Sequence, residues 1–280
     1  MSINAADIKQ LARKWGATLV GISPVERLAW APKGHRPQDF VPGVQSVVVL
    51  GLPIPDTVIN KQALLLKSEK IPDDIKPVNQ YHIYERIAHQ TVSNLAREVA
   101  YRLCVSLKDE GYLSCYFPVA TAEGSAMASK IPNHFAPFSH RHAAVAAGLG
   151  TFGLNNLVIT PKYGPRVRLE SLVTQAPLEP DPMLDQRVCP EGCNICTEDW
   201  PECFGERYEF EVNGQVQQVA RFMGCHIWRD FPPGATTHDV CFDGGCIRVC
   251  PIGAKLTGVR RGVAPREFAY EPPTILSGRS

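Results

Sequence analysis

Long apolar runs are missing from this 280-residue chain. None approaches the roughly 18 residues that a membrane-spanning helix requires, so no span is expected. A charge excess is missing too, since 29 Lys and Arg stand against 28 Asp and Glu. That balance predicts no broad basic face for tight, sequence-independent nucleic-acid binding. The opening MSINAADIKQLARKWG holds neither an apolar signal core nor a twin-arginine pair. It reads as an amphipathic helix, and a cytoplasmic chain is the expectation. There is no internal repeat beyond a loose duplication of cysteines, and no low-complexity tract.

Two residue types are plentiful. The 24 prolines predict many fixed turns and long ordered loops. Of the 10 cysteines, eight fall between residues 189 and 250: Cys189, Cys193, Cys196, Cys203, Cys225, Cys241, Cys246 and Cys250. Eight thiols are two sets of four, the number that two [4Fe–4S] clusters require. The final run, Cys246-x3-Cys250-Pro251, ends as bacterial two-cluster ferredoxins do. There the cysteine before proline binds the cluster built mainly by the other motif. On that rule Cys189, Cys193 and Cys196 share a cluster with Cys250, while Cys203, Cys225, Cys241 and Cys246 hold the second. Disulfides are the alternative in an oxidising compartment. Zinc is another, although it usually takes two C-x2-C pairs. The gaps after Cys189, Cys196 and Cys241 are longer than in ferredoxins, so the count is firmer than the pairing.

The rest of the chain alternates strand and helix signals. Residues 5–15 read as a helix ended by Gly16, 17–23 as a buried strand, and 46–54 as a β-branched strand stopped by Pro53 and Pro55. Residues 55–80 are polar and proline-punctuated, a candidate substrate loop followed by Tyr81, His82 and Tyr84. A helical period runs from about 84 to 110, with Cys104 beside its apolar stripe and Gly111 as the stop. Residues 112–120 read as a strand. Ser139 is a candidate N-cap for a short alanine-rich helix stopped near Gly148. The turn holding Gly148, Gly150 and Gly153 permits close backbone approach. Residues 157–160 and 167–174 read as strands joined by a Pro161–Gly164–Pro165 turn. Within the cysteine region, Asn213-Gly214 between alternating strands is a hairpin signal. The fold expectation is α/β: an open-sheet domain over 1–182, a ferredoxin-like domain over 183–260, and a tail over 261–280.

Four segments carry a resemblance: WGATLVGIS (15–23), DFVPGVQSVVVLGLPIP (39–55), the long run from Ala143 to Asp181, and the cysteine pattern ending in CIRVCPIGA. On these the sequence resembles the epoxyqueuosine reductase and reductive dehalogenase group. The resemblance implies a nitroreductase-like cobalamin domain followed by a two-cluster ferredoxin domain. It matches Cys225 to the isolated cysteine used for the second cluster. It further implies corrinoid contacts at Ser139, His140, Gly148, Leu149, Gly150, Tyr163 and Gly164, and reductive cleavage of a small-molecule substrate. The electron source would be a low-potential donor such as ferredoxin or flavodoxin. In epoxyqueuosine reductases an acidic residue precedes the glycine turn. Here His134 takes that position and Arg141 matches a following arginine, so His134 is the candidate proton donor and Arg141 the candidate anion stabiliser. The helical extension used against tRNA is not found, and neither is the twin-arginine signal of respiratory dehalogenases. A non-catalytic electron-transfer protein and a tRNA-modifying reductase are the competing readings. His140 and His142 fall on different helix faces, so at most one joins any single site. Arg166 and Arg168 share one face of a strand, as an ion pair or an anion site.

Overall fold

The computed structural model of the chain describes residues 3–59, 84–117, 136–222 and 245–253. Helix α1 (Ala5–Lys14) opens on a capping box. The Asn4 side chain accepts from the Ala6 and Asp7 amides, and Asp7 accepts from the Asn4 amide. Two of the helix's unpaired amides are thereby satisfied. Gly16, at φ 111°, turns the chain into strand β1 (Leu19–Pro24). Two single-turn 3-10 segments then lead to β2 (Ser46–Pro53). Helix α2 (Asp56–Ile59) lies beyond β2. A π-helical stretch, Glu85–Thr91, runs into α3 (Val92–Asp109). Strand β3 (Ser114–Phe117) follows Gly111, at φ 85°.

Helix α4 (His140–Ala146) is capped by Ser139 and stopped at Gly148, at φ 71°. Short strands β4 (Thr151–Phe152) and β5 (Val158–Ile159) pair with each other. The expected pair 157–160 and 167–174 therefore divides between two sheets, because β6 (Val167–Thr174) joins the main one. The main sheet has the order β1-β2-β6-β3, and every neighbouring pair is antiparallel. It is open, as expected, but it is not the parallel sheet that a strict strand–helix alternation produces. The long connections return each strand beside an oppositely directed neighbour.

Strand β2 is apolar at successive positions because it is covered on both faces. Val48 and Leu50 enter the layer beneath α1 and α3, with Ile8, Ala12, Val99 and Leu103. Val47 and Val49 enter the opposite layer, with α4 and Phe152. Adjacent strand residues point to opposite faces, so continuous burial requires two covers. Each fully buried side chain contributes about 1.5–3 kcal/mol. Asp181 fastens the segment after the sheet. It accepts from the Ile22 amide at 2.8 Å and pairs with Lys9 at 2.5 Å.

Beyond it come α5 (Ile195–Asp199), β7 (Phe204–Val212), β8 (Gln215–Phe222) and α6 (Gly245–Arg248). Strands β7 and β8 form the expected hairpin, with Asn213 at φ 50° and Gly214 at φ 79° in its two-residue turn. The hairpin is docked on the earlier elements. Gln217 accepts from the Phe152 amide, the Ala220 amide donates to Leu154, and Phe210 meets Phe152 edge-on at 5.4 Å.

Candidate metal centre

The loop from Val188 to Ile195 is too rich in turn residues to form a helix or strand. It bends at Gly192, at φ 72°, and the Cys193 amide closes a turn on the Pro190 carbonyl. Thr151 of β4 anchors its start by accepting from the Val188 amide at 2.9 Å. The half-buried thiols of Cys189 and Cys193 thus stand beside buried Cys196 in the first turn of α5. Cys250 arrives from the far end of the chain, just after α6. These four cysteines line one pocket, walled by Leu154, Ile159, Ile195 and Ile252.

Electrostatics reports the same gathering. The Cys196 thiol is pushed up to about 12, first by burial and then by the charges of Cys189, Cys250 and Cys193. Cys250 is also raised by burial, and Arg166 pulls it the other way. Buried thiols in apolar walls keep their protons unless a cation neutralises the thiolates. A positively charged metal–sulfide core is such a cation. All eight described cysteines are free, so the disulfide alternative finds no bond among them. Among the described residues no three His, Cys, Asp or Glu side chains are grouped to hold a single ion. The four cysteines line one pocket, and four thiols are the donor set that one cluster takes.

Of the second set, Cys203 is buried at the end of a 3-10 turn and Cys246 lies in α6. Cys225 and Cys241 lie outside the described residues. Cys203 and Cys246 belong to the same apolar body as Cys196 and Cys189, built around Trp200, Phe204 and Val249. The described members Cys203 and Cys246 of the second set therefore share a wall with Cys189 and Cys196 of the first.

Arg166 pins the Cys250 loop to the main sheet. Its side chain is only 1% exposed. Nη2 donates to the carbonyls of Arg248 and Cys250 at 3.0 and 2.8 Å, and Nη1 donates to Ile252 at 2.9 Å. Asp56 of α2 faces its Nε at 3.8 Å. Gly164 and Gly253 let the two backbones touch. A Cβ on Gly164, whose φ is 56°, meets the Ile252 carbonyl oxygen at 1.9 Å, and one on Gly253 meets Tyr163 at 2.2 Å. The sequence pattern left Arg166 open between an ion pair and an anion site. Its main task is to bind carbonyls, which no spacing rule announces. Asn155 was not singled out either, yet its side chain donates to the Cys246 carbonyl at 3.5 Å.

The residues assigned to a corrinoid lie elsewhere, and none lines the cysteine pocket. Ser139 caps α4 and contacts His142 Nδ1 at 2.7 Å. His140 Nδ1 meets Ser171 of β6 at 2.9 Å. Its ring stays neutral, held near 4 by burial and by Arg168. His142 faces Trp30, Phe152 and Phe210, and is likewise held near 4 by burial and by Arg141. The two histidines do take different faces. Arg141 donates to the carbonyl of Asn156 and, at 2.8 Å, to its side-chain oxygen. Would-be Cβ atoms on Gly148 and Gly150 meet the carbonyls of Pro182 and Ile159, while Leu149 packs into the α4 layer. Tyr163 and Gly164 border the Cys250 loop. The polar side chains of this set at the start of α4 are paired within the chain. His134, Tyr81 and His82 lie outside the described residues. Tyr84 is buried and meets His89 edge-on at 5.1 Å. His89 was not anticipated. Burial and Arg168 hold it near 3, and it sits in the π-helical stretch, whose i to i+5 bonding leaves no trace in a hydrophobic period.

No family model matches the chain. Among curated proteins it is similar to the tetrachloroethene reductive dehalogenase of Dehalobacter restrictus, 33% identical over 129 residues, which is 46% of this chain and 20% of that one. The corresponding enzyme of Sulfurospirillum multivorans is 43% identical over 120 residues, 39% of this chain and 22% of that one. The match thus spans about a fifth of these relatives' length. In fold the chain is similar to a reductive dehalogenase solved for B12-dependent dehalogenation, with TM-score 0.58, 21% identity, and coverage of 90% and 32% of the two chains. It is also similar to the epoxyqueuosine reductase of Streptococcus thermophilus, with TM-score 0.54, 14% identity, and coverage of 91% and 67%. The chain thus shares its fold with reductive dehalogenases and an epoxyqueuosine reductase, and just under half of it is similar in sequence to tetrachloroethene reductive dehalogenases.

Proposed function

We propose that the chain is an iron–sulfur oxidoreductase that delivers low-potential electrons to the reductive cleavage of a small molecule. The observation that carries this reading is the pocket shared by Cys189, Cys193, Cys196 and Cys250. These four would hold one [4Fe–4S] cluster. Cys203, Cys225, Cys241 and Cys246 would hold the second. Such clusters supply one-electron transfer at potentials set by charge, hydrogen bonding and burial. The chain's own contribution is to keep the thiols convergent, to exclude water with Leu154, Ile159 and Ile252, and to fasten the Cys250 loop through Arg166. In this reading residues 1–182 form a nitroreductase-like unit and 183–260 a ferredoxin-like one, with ferredoxin or flavodoxin as donor.

Corrinoid dependence rests on the resemblance to reductive dehalogenases. His134 is its proposed proton donor, and Arg141, held by Asn156, orients the neighbouring turn. A second reading, an electron-transfer protein without its own catalytic site, is favoured by one observation: the polar groups around α4 are already paired within the chain. Anaerobic reconstitution separates the two. Both predict about eight irons per chain and cubane EPR signals on reduction. Cobalamin binding with a shift to the base-off spectrum supports the reductase. Full iron content without cobalamin affinity supports electron transfer alone. Zinc in place of iron, or thiols paired as disulfides, contradicts both.

A further inference from the structure

Arg166 is one of the largest fully buried side chains in the molecule. A buried guanidinium stays charged, and taking it out of water is costly unless its donors are satisfied. Here three backbone carbonyls satisfy the two terminal nitrogens, all from the stretch that carries Cys250. Neutral carbonyls leave the positive charge in place. Among the described residues the carboxylate facing it is Asp56, which is 3.8 Å from Nε and a quarter exposed at its side chain. Its compensation is therefore incomplete and weakened by water. On the other side, Nη2 of the same guanidinium lies 2.8 Å from the carbonyl oxygen of Cys250, one of the four cysteines lining the pocket.

Structural fastening alone does not require a charge at this point. We propose that Arg166 is a positioning residue that also sets the potential of the cluster held by Cys189, Cys193, Cys196 and Cys250, raising it so that this cluster accepts electrons more readily. The inference rests on the cluster assignment proposed above. Its physical basis is simple. Reduction adds one electron, hence one negative charge, to a core already surrounded by four thiolates. No proton needs to move and no bond breaks; the electron comes from an external low-potential reductant. A fixed positive charge in a water-poor setting stabilises the reduced state more than the oxidised one. Asp56 must then act in the opposite sense, through the same guanidinium and at slightly longer range.

The experiment is a dithionite potentiometric titration followed by EPR, on wild type, Arg166→Gln, Arg166→Lys and Asp56→Asn. The relevant signal is the one lost in Cys193→Ser. Arg166→Gln is expected to shift reduction at least tenfold towards the oxidised form, a fall of about 59 mV for one electron. Asp56→Asn is expected to move the midpoint upward. Arg166→Lys keeps the charge and loses the forked hydrogen bonds, so its midpoint stays nearer wild type than that of the glutamine variant. Should Arg166→Gln fail to fold or lose iron, Asp56→Asn still decides, because it touches no carbonyl of the loop. A midpoint unmoved or lowered in Asp56→Asn overturns the inference while leaving the cluster in place. Wild-type protein without iron overturns the cluster assignment itself, and the inference with it.

Discussion

The cysteine pocket and the histidine-rich start of α4 both gather polar side chains, yet they treat them oppositely. Around the pocket, four thiols from three segments face a shared space, and the hydrogen bonding that builds the site runs through backbone carbonyls and amides. Around α4, Ser139, His140, Arg141 and His142 end on Ser171, Asn156, aromatic rings or one another. A dense group of polar residues in sequence is therefore no sign of a site. What distinguishes a donor set is the direction in which its members remain unsatisfied, and only the thiols are left aimed at a common volume.

The largest effect that can break this contrast is expected at Gly164. Gly164→Ala places a methyl group 1.9 Å from the Ile252 oxygen at a positive φ. A loss of about 3 kcal/mol or more follows from overpacking and backbone strain combined. Urea unfolding should show it, with iron content falling in parallel because Cys250 is displaced. Unchanged stability would mean that the two backbones are not in contact, and the pocket would lose its fourth wall.

Next in size is Arg141→Ala. If the guanidinium serves the Asn156 turn, the variant loses about 1–3 kcal/mol by leaving that carbonyl unpaired. If instead Arg141 grips a substrate anion, turnover falls at constant melting temperature and the self-satisfied description of α4 is wrong.

The histidines offer a pH test of the same description. His140 and His142 are held near 4 in the fold, against about 6.5 when unfolded. Between those values the unfolded chain binds more protons, so stability rises with pH. The contribution is complete above about 6.5 and is lost as pH falls towards 4. Unfolding midpoints measured from pH 7 to pH 5 should drop, and His140→Asn should flatten the slope. An identical slope in the variant would remove His140 from the acid response.

The smallest change is expected in the hairpin. Gly214→Ala at φ 79° should cost about 1 kcal/mol, without altering iron content, because the turn only closes the connection after Cys203. Lost iron in that variant would tie the hairpin into the metal site more closely than its contacts suggest.

Much of this was legible in the chain itself. Consecutive valines in β2, the stop glycines 16 and 111, the Ser139 cap and the Asn213-Gly214 turn each follow a local rule, and each rule held. The proline after a terminal cysteine is read as a long-range return, and Cys250 lines the pocket of Cys189, Cys193 and Cys196, while the cluster they would share is the proposal made above. Other features depend on partners far away in sequence. Arg166 looks like any strand-start arginine until the carbonyls of 248, 250 and 252 are brought to it. Glycines 148 and 150 announce close approach, but not by what; the chain's own backbone fills both places. The π-helical register that carries His89 keeps the same apolar spacing as a helix start, so periodicity passes over it.

Counting iron in a Cys193→Ser, Cys196→Ser double variant, beside wild type reconstituted under the same anaerobic conditions, bears most directly on the shared pocket. The expected outcome is a fall from about eight irons to about four, with one cubane EPR signal retained. An undiminished iron content in the double variant would contradict a cluster among Cys189, Cys193, Cys196 and Cys250.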